Sequence, residues 1–427
     1  MNALPEQPSE EMQLKRKISV SDFPNSSSMN PTKFLYRAPL LDCTQHVMGY
    51  RLAWQNNDTS SALSAGASLG QLLNLVAQCP EKAESGLFFL DAGTAALSAE
   101  VLQGLKPENM VLMFGQTDLV SAGRIPLAMS FFSQGFGLAL CNADLAMLES
   151  NNGLLSLMTH LEVDSCHPDL TQIVNFARLA EPPLGVVIGG VSDWQTFDAC
   201  AARGLMGFFG NICTAPRQLR QSAQLGAQAV LVLQLMQMVR DNADVRDMEK
   251  VLKRDATLSF KLLRHINSAS FGMEVEIESL SHAVMMLGYS PFYRWLSVLL
   301  AMTSSQGFSP ALLQAAIIRG RFAELLGRQL FSRNEAENLF VVGFFSLLDP
   351  LLGVPMEQVL RQISLPTTIV QALLSREGVY GPLLALVEAC EQENGCASEL
   401  ADALFMTPAQ VNKAHWSALV WTQNLKI

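Results

Sequence analysis

An α/β barrel followed by an all-helical domain is the fold class that this 427-residue chain predicts. Three observations carry it. Short apolar runs alternate with helix-period stretches from Phe34 to about Cys213, those runs then stop, and the remainder keeps a helical period. The composition, 49% hydrophobic and 16% charged, suits a chain that buries large cores and lies far from the signature of disorder.

Residues 1–32 are rich in Pro, Ser, Asn and Glu without a sustained apolar period, and are expected to be a disordered tail. The runs FLYRAPLL, GLFFLDAG, NMVLMFGQ, FGLALCNA, LGVVIGGV and LMGFFGNI then read as buried parallel strands. Between them, Ser68–Gln78 spaces Leu69, Leu72, Leu73 and Val76 as a helix does. The roughly 180 residues from Phe34 to Cys213 fall short of the 200 or more of an ordinary eightfold barrel, so a shortened one is expected. Beyond it, Asp255 is a typical N-cap for a helix running to Ile266, Ser281–Gly288 is a second with its glycine stop, and Gln314–Leu330 and Ala336–Leu348 are longer ones. The resulting organisation is a tail over 1–32, an α/β domain over 33–214 and a helical domain over 215–427. The last two are expected to fold separately.

Charge and motifs exclude several functions. Lys and Arg total 29 against 39 Asp and Glu, a formal charge of −10 concentrated as an acidic excess in residues 31–215, which argues against nucleic acid or an anionic membrane as a general partner. Eight cysteines without a C-x-x-C pair suggest neither a zinc knuckle nor a redox couple, and reduced thiols fit the cytoplasm. No signal peptide is evident, and apolar runs such as Leu339–Leu348 are far shorter than the ~20 residues of a membrane span. Dinucleotide, P-loop and nucleophile-elbow patterns are absent, so no cofactor is implied.

The helical half resembles an HDOD domain, a helical relative of the HD phosphohydrolases that lacks their chemistry. The resemblance rests on Asp255-Ala256-Thr257-Leu258-Ser259, Leu262-Leu263-Arg264, Asn267-Ser268-Ala269 and the stretch from Ser279 through Ala283 to Leu287-Gly288. There is no His-Asp dipeptide, and the matching place reads Phe345-Ser346-Leu347-Leu348. The α/β half resembles an EAL domain, a modified TIM barrel that in active members hydrolyses cyclic di-GMP with two metal ions. Its opening is similar to Phe34–Asp42 followed by Gly49-Tyr50-Arg51-Leu52-Ala53-Trp54-Gln55, where the family reads Gly-Tyr-Glu-Leu-Leu-x-Arg.

Aligned with that family, the metal-binding Glu is Arg51, the Asn of the next strand end is Asp91 and the following Glu is Met113. The Asp pair becomes Cys141 and Asn142, the catalytic Lys becomes Glu162, and later site positions become Gly189 and Phe209. The phosphate-binding Arg is Gln55, which carries no charge to replace it. The resemblance therefore implies a degenerate site with no catalytic residue, no metal and no hydrolysis. Asp255, Asn267 and Ser268 form the candidate interaction motif, with helix-end stabilisation as the alternative. Arg319, Arg321, Arg328 and Arg333 read as a solvated basic face.

The expectation is a non-enzymatic signalling adaptor in a cyclic di-GMP-linked pathway, with other signalling proteins or a second copy of the chain as partners. A cyclic di-GMP receptor without hydrolysis is the first alternative and a weak phosphodiesterase the second.

Overall fold

The computed structural model describes residues 33–55, 86–92, 107–115, 125–150, 152–215, 225–266, 279–303, 309–361 and 365–425, with Leu75, Thr117, Leu119 and Ile363 as single positions between them. The expected tail over 1–32, most of the helix at Ser68–Gln78, and both Asn267 and Ser268 lie outside the described residues.

Eight strands close a barrel in sequence order. They are β1 (Leu35–Leu41), β2 (Val47–Trp54), β3 (Leu87–Asp91), β4 (Met110–Gly115), β5 (Gly137–Cys141), β6 (His160–Asp164), β7 (Gly185–Gly189) and β8 (Phe208–Phe209). The pairs from β2 to β8 are parallel, whereas β1 runs antiparallel to both β2 and β8. That reversal needs a tight turn, which Asp42 makes by accepting hydrogen bonds from the backbone N–H groups of Thr44 and His46, each at 2.8 Å. It also sets Leu35 opposite Trp54, so the chain enters the barrel at the end where β2 to β8 finish. The mouth is therefore flanked by Tyr36 and Arg37.

Alternation along the strands divides the apolar residues between two cores. Leu40, Phe89, Val111, Met113, Ala139, Val187 and Phe209 fill the barrel, with Phe89 edge-on to Phe209 at 5.1 Å. The outward set, including Tyr50, Phe88, Leu112 and Leu161, belongs to a core continuous with the helices as far as Leu425. The two halves thus do not separate as expected: Pro31–Ile427 is one compact unit. The reason is the C-terminal segment, whose Trp416 packs on Phe88 of β3 at 5.1 Å and so uses strand surface that would otherwise face water.

The helical half follows its caps. Asp255 accepts from the Leu258 N–H at 2.9 Å and opens Ala256–Ile266, while Ser279 accepts from His282 N–H and Gly288, at φ 82°, ends Leu280–Leu287. Helices Pro310–Gly327 and Arg333–Phe345 cross through glycine. A Cβ on Gly343 would lie 2.7 Å from the Arg319 carbonyl oxygen and 2.8 Å from Gly320 Cα.

The solvated basic face is corrected by this packing. Arg333 and Arg328 are exposed, but Arg319 is buried, and Arg321 and Arg328 join Arg294 around Glu324 at 3.0, 2.7 and 3.1 Å. Glu324 is fully buried, and a carboxylate there requires cations within contact. Burial raises its pKa, yet the three guanidinium groups win and hold it below the ordinary carboxylate value. Positions three and four apart on one helix bring two of those partners to it.

Gly343→Ala should destabilise the protein by about 1–3 kcal/mol, because the added methyl meets backbone that cannot rotate aside. Urea denaturation followed by circular dichroism measures this, and an unchanged midpoint would show that the helices separate freely.

Candidate functional site at the barrel mouth and its helical seam

At the mouth, β2 presents Arg51, β3 ends on Asp91, β5 on Cys141, and β6 carries Glu162 opposite Cys141 in the register. Arg51 Nη1 donates to Glu162 Oε1 at 2.9 Å, and its Nη2 lies 3.9 Å from Asp91 Oδ2. Glu162 is only 6% exposed, so this guanidinium supplies the charge that its burial demands. Burial works against the Arg51 cation, but Glu162, Cys141, Asp91 and Glu393 together raise its pKa. Gly189 is required by the same pair, since a Cβ there would sit 2.9 Å from Glu162 Oε1. Cys141 is pushed far up by burial and then by Glu162, which keeps it a thiol rather than a thiolate ligand or nucleophile. Met113 and Phe209 are packing residues of the barrel interior, and Asn142 turns the chain beyond β5 at φ 52°.

These residues do not fit a pair of divalent ions, because a guanidinium already lies between the two carboxylates that would have to hold them. Among the described residues no group of three His, Cys, Asp or Glu side chains is placed to hold a metal.

Gln55 belongs elsewhere. It is buried, and its Nε2 donates to the carbonyls of Ala389 and Gln392 at 2.7 and 2.8 Å. Those carbonyls lie at the end of helix Gly381–Cys390, where backbone acceptors lack partners within the helix. The side chain therefore joins β2 to the helical half instead of facing a ligand. Around it runs a polar seam that the sequence analysis did not identify. Arg37 of β1 donates to Glu391 Oε1 at 3.2 Å and to His415 Nε2, while Arg319 holds Glu391 Oε2 at 2.6 Å. Asn211 donates to the Glu391 carbonyl at 2.8 Å, and Leu35 N–H donates to Asn412 Oδ1 at 2.8 Å. Burial raises the pKa of Glu391, but Arg319 and Arg37 hold it below the ordinary range. Burial and then Arg37 push His415 well down, so its ring is neutral. The available signal was a polar residue at a core-facing helical position: Asn412 and His415 fall among Val411, Ala414, Trp416 and Ala418, all buried.

In the helical half, Asp255 is an N-cap that also accepts from Gln228 Nε2 at 2.8 Å, which gives it a structural task. Ser346, within the buried Phe345–Leu348 stretch, accepts from Arg319 at 2.8 Å.

Comparison with known proteins follows the same division. The HDOD domain family matches residues 225–352. This segment is an HDOD domain. A curated relative from Bacillus subtilis, uncharacterized protein YuxH, is 30% identical over 195 residues, 45% of this chain and 47% of its own, so the match spans about half of that relative. Cyclic di-GMP phosphodiesterase CdgJ of Vibrio cholerae is 24% identical over 372 residues, 84% of this chain and 85% of its own. Solved structures similar to 42% and 44% of the chain include the EAL domain of Mycobacterium smegmatis DcpA and the manganese and cyclic di-GMP complex of Klebsiella pneumoniae BlrP1. Their identities are 16% and 13%, they are covered over 89% and 56%, and their TM-scores are 0.33 and 0.35. The expectation that the chain is not an enzyme is corrected by the Vibrio likeness: that relative, aligned along most of both chains, is named a phosphodiesterase. Among the described residues no helix is long and apolar enough to cross a membrane.

Two outcomes follow. Arg51→Ala should cost about 1–3 kcal/mol by leaving Glu162 buried and unpaired, and adding Glu162→Leu should recover most of it. Denaturation midpoints test this, and a neutral Arg51→Ala would mean that water compensates Glu162. Glu391 should supply stability that is complete above pH about 4.5, the ordinary Glu value, and lost as pH falls through its lowered folded value. Glu391→Gln should accordingly be less stable at neutral pH and show a flatter acid limb. An acid limb of unchanged slope would assign the effect to other carboxylates.

Proposed function

We propose that this chain is a cyclic di-GMP-linked signalling protein of the cytoplasm, in which an EAL-like barrel is joined rigidly to an HDOD domain that makes contacts with other signalling proteins. The observation that carries the reading is the seam. Arg37 at the barrel mouth and Arg319 inside the HDOD domain share one buried carboxylate, Glu391, so a change at the mouth alters the surroundings of the helices. The likeness to the Vibrio phosphodiesterase along 84% of the chain supports the nucleotide link. Exposed Phe260 and Met285, 65% and 80% accessible on helices Ala256–Ile266 and Leu280–Leu287, support protein contact by the HDOD domain.

The test is calorimetric titration of the full chain with cyclic di-GMP, with Mg²⁺ or Mn²⁺ present and the products analysed, alongside hydrogen exchange. The expected result is saturable binding or formation of the linear dinucleotide, with altered exchange in Gly381–Cys390 and Pro408–Gln423. Neither binding nor turnover would overturn the nucleotide link. Binding with unchanged exchange in both helices would overturn the coupling. For the contact surface, Met285→Asp should weaken partner capture without lowering the melting temperature, and unchanged capture would remove that surface from the reading.

A further inference from the structure

A cleft of about 500 Å³ lies between β1 and β2 of the barrel and helices Pro310–Gly327 and Leu348–Leu352 of the HDOD domain. It is built from both halves and stands outside the barrel interior. One wall is apolar, formed by Ala315, Ile318 and Pro350 among others. The floor is ionic, but its guanidinium groups are already committed. Arg319 is held by Glu391 and Ser346, Arg37 by Glu391, and Arg376 by both oxygens of Glu388 at 2.9 and 2.8 Å.

Asp349 differs from them. It lines the cleft, and its carboxyl group accepts from its own backbone N–H but from no side chain among the described residues. Burial raises its pKa, and its own backbone N–H, then Arg376 and Arg319, only partly offset that. Lining residues comprise three arginines against four acids, Asp349, Glu388, Glu391 and Glu393, so the cleft is formally negative by one charge. An anion entering it would find every guanidinium engaged, whereas a cation would find a carboxylate that no side chain holds beside an apolar wall.

We propose that this cleft is a binding site for a small organic cation, an aliphatic amine or guanidinium compound, whose charged head pairs with Asp349 while its methylene body lies along Ile318 and Pro350. Tyr36 and Arg37 of the barrel mouth line its edge, but no nucleotide takes part in this site. Because its walls come from both halves, the bound cation also clamps the barrel onto the HDOD domain, and it stabilises the folded chain by mass action.

Agmatine is a suitable probe, with glutamate as the anionic control. On the full chain, millimolar agmatine should raise the melting temperature and give a saturable calorimetric isotherm, and glutamate should do neither. Asp349→Asn, a near-isosteric change at a carboxyl group without a side-chain partner that keeps an oxygen to accept from the backbone N–H, should weaken agmatine binding about tenfold or more while leaving the melting temperature of the free protein at or above its original value. No response to agmatine, an equal response to glutamate, or undiminished binding by Asp349→Asn would overturn the proposal. Should Asp349→Asn fail to fold, Ala315→Leu decides, since it fills the apolar wall from a half-exposed position: lost agmatine binding supports the site and retained binding overturns it.

Discussion

Glu391 is a carboxylate buried between two guanidinium groups that come from opposite halves of the chain, Arg37 on β1 and Arg319 in the HDOD domain. An ion pair this deep gains little over an apolar contact in stability, but losing one member strands the others without solvent, so the arrangement holds as a set or not at all. That property makes the set specify geometry. Arg37 reaches Glu391 only because β1 runs antiparallel and begins beside the ends of the other strands, and Arg319 reaches it only because Gly320 and Gly343 let two helices approach closely. The joining of barrel and helices thus rests on a strand direction and a pair of missing side chains.

The barrel mouth obeys the same rule on a smaller scale. Glu162 is buried on β6, and Arg51 on β2 crosses the mouth to meet it, with Asp91 at longer range. Gly189 leaves the space that the Glu162 carboxylate occupies. Where a metal-dependent barrel would gather acids about ions, this one balances its acids with a side-chain cation that cannot dissociate. Its charge is fixed by the covalent chain.

Six of the eight strands were legible as apolar runs, because strands covered on both faces are apolar throughout. The two that the criterion passed over, β2 and β6, carry Arg51 and Glu162: the residues that matter most at the mouth break the very pattern by which a buried strand is read. Helix caps were equally legible, since Asp255 and Ser279 act within one turn of chain. Gln55, Arg319, Glu391 and His415 were not. Their partners lie between 27 and 378 positions away along the chain, and nothing local distinguishes a solvated charge from one whose partner arrives by tertiary folding. The basic stretch at 319–333 was misread for that reason.

The short loop after helix Gly381–Cys390 connects these levels. Its consecutive residues Glu391, Gln392 and Glu393 each address a different part of the barrel. Glu391 takes Arg37, the Gln392 carbonyl takes Gln55, and Glu393 raises the pKa of Arg51 and, after burial, that of Tyr36, which is pushed up to about 12. Gly395 then lets the chain turn away, since a Cβ there would lie 2.1 Å from the Ala389 carbonyl oxygen and 2.8 Å from Gln55 Nε2. A shift of this loop would change the field at Arg51 and the packing of Gln55 together, and by reciprocity a ligand that altered Arg51 would change the free energy of the loop. A few consecutive residues of chain therefore bear on the barrel mouth and, through Arg319, on the HDOD domain at once.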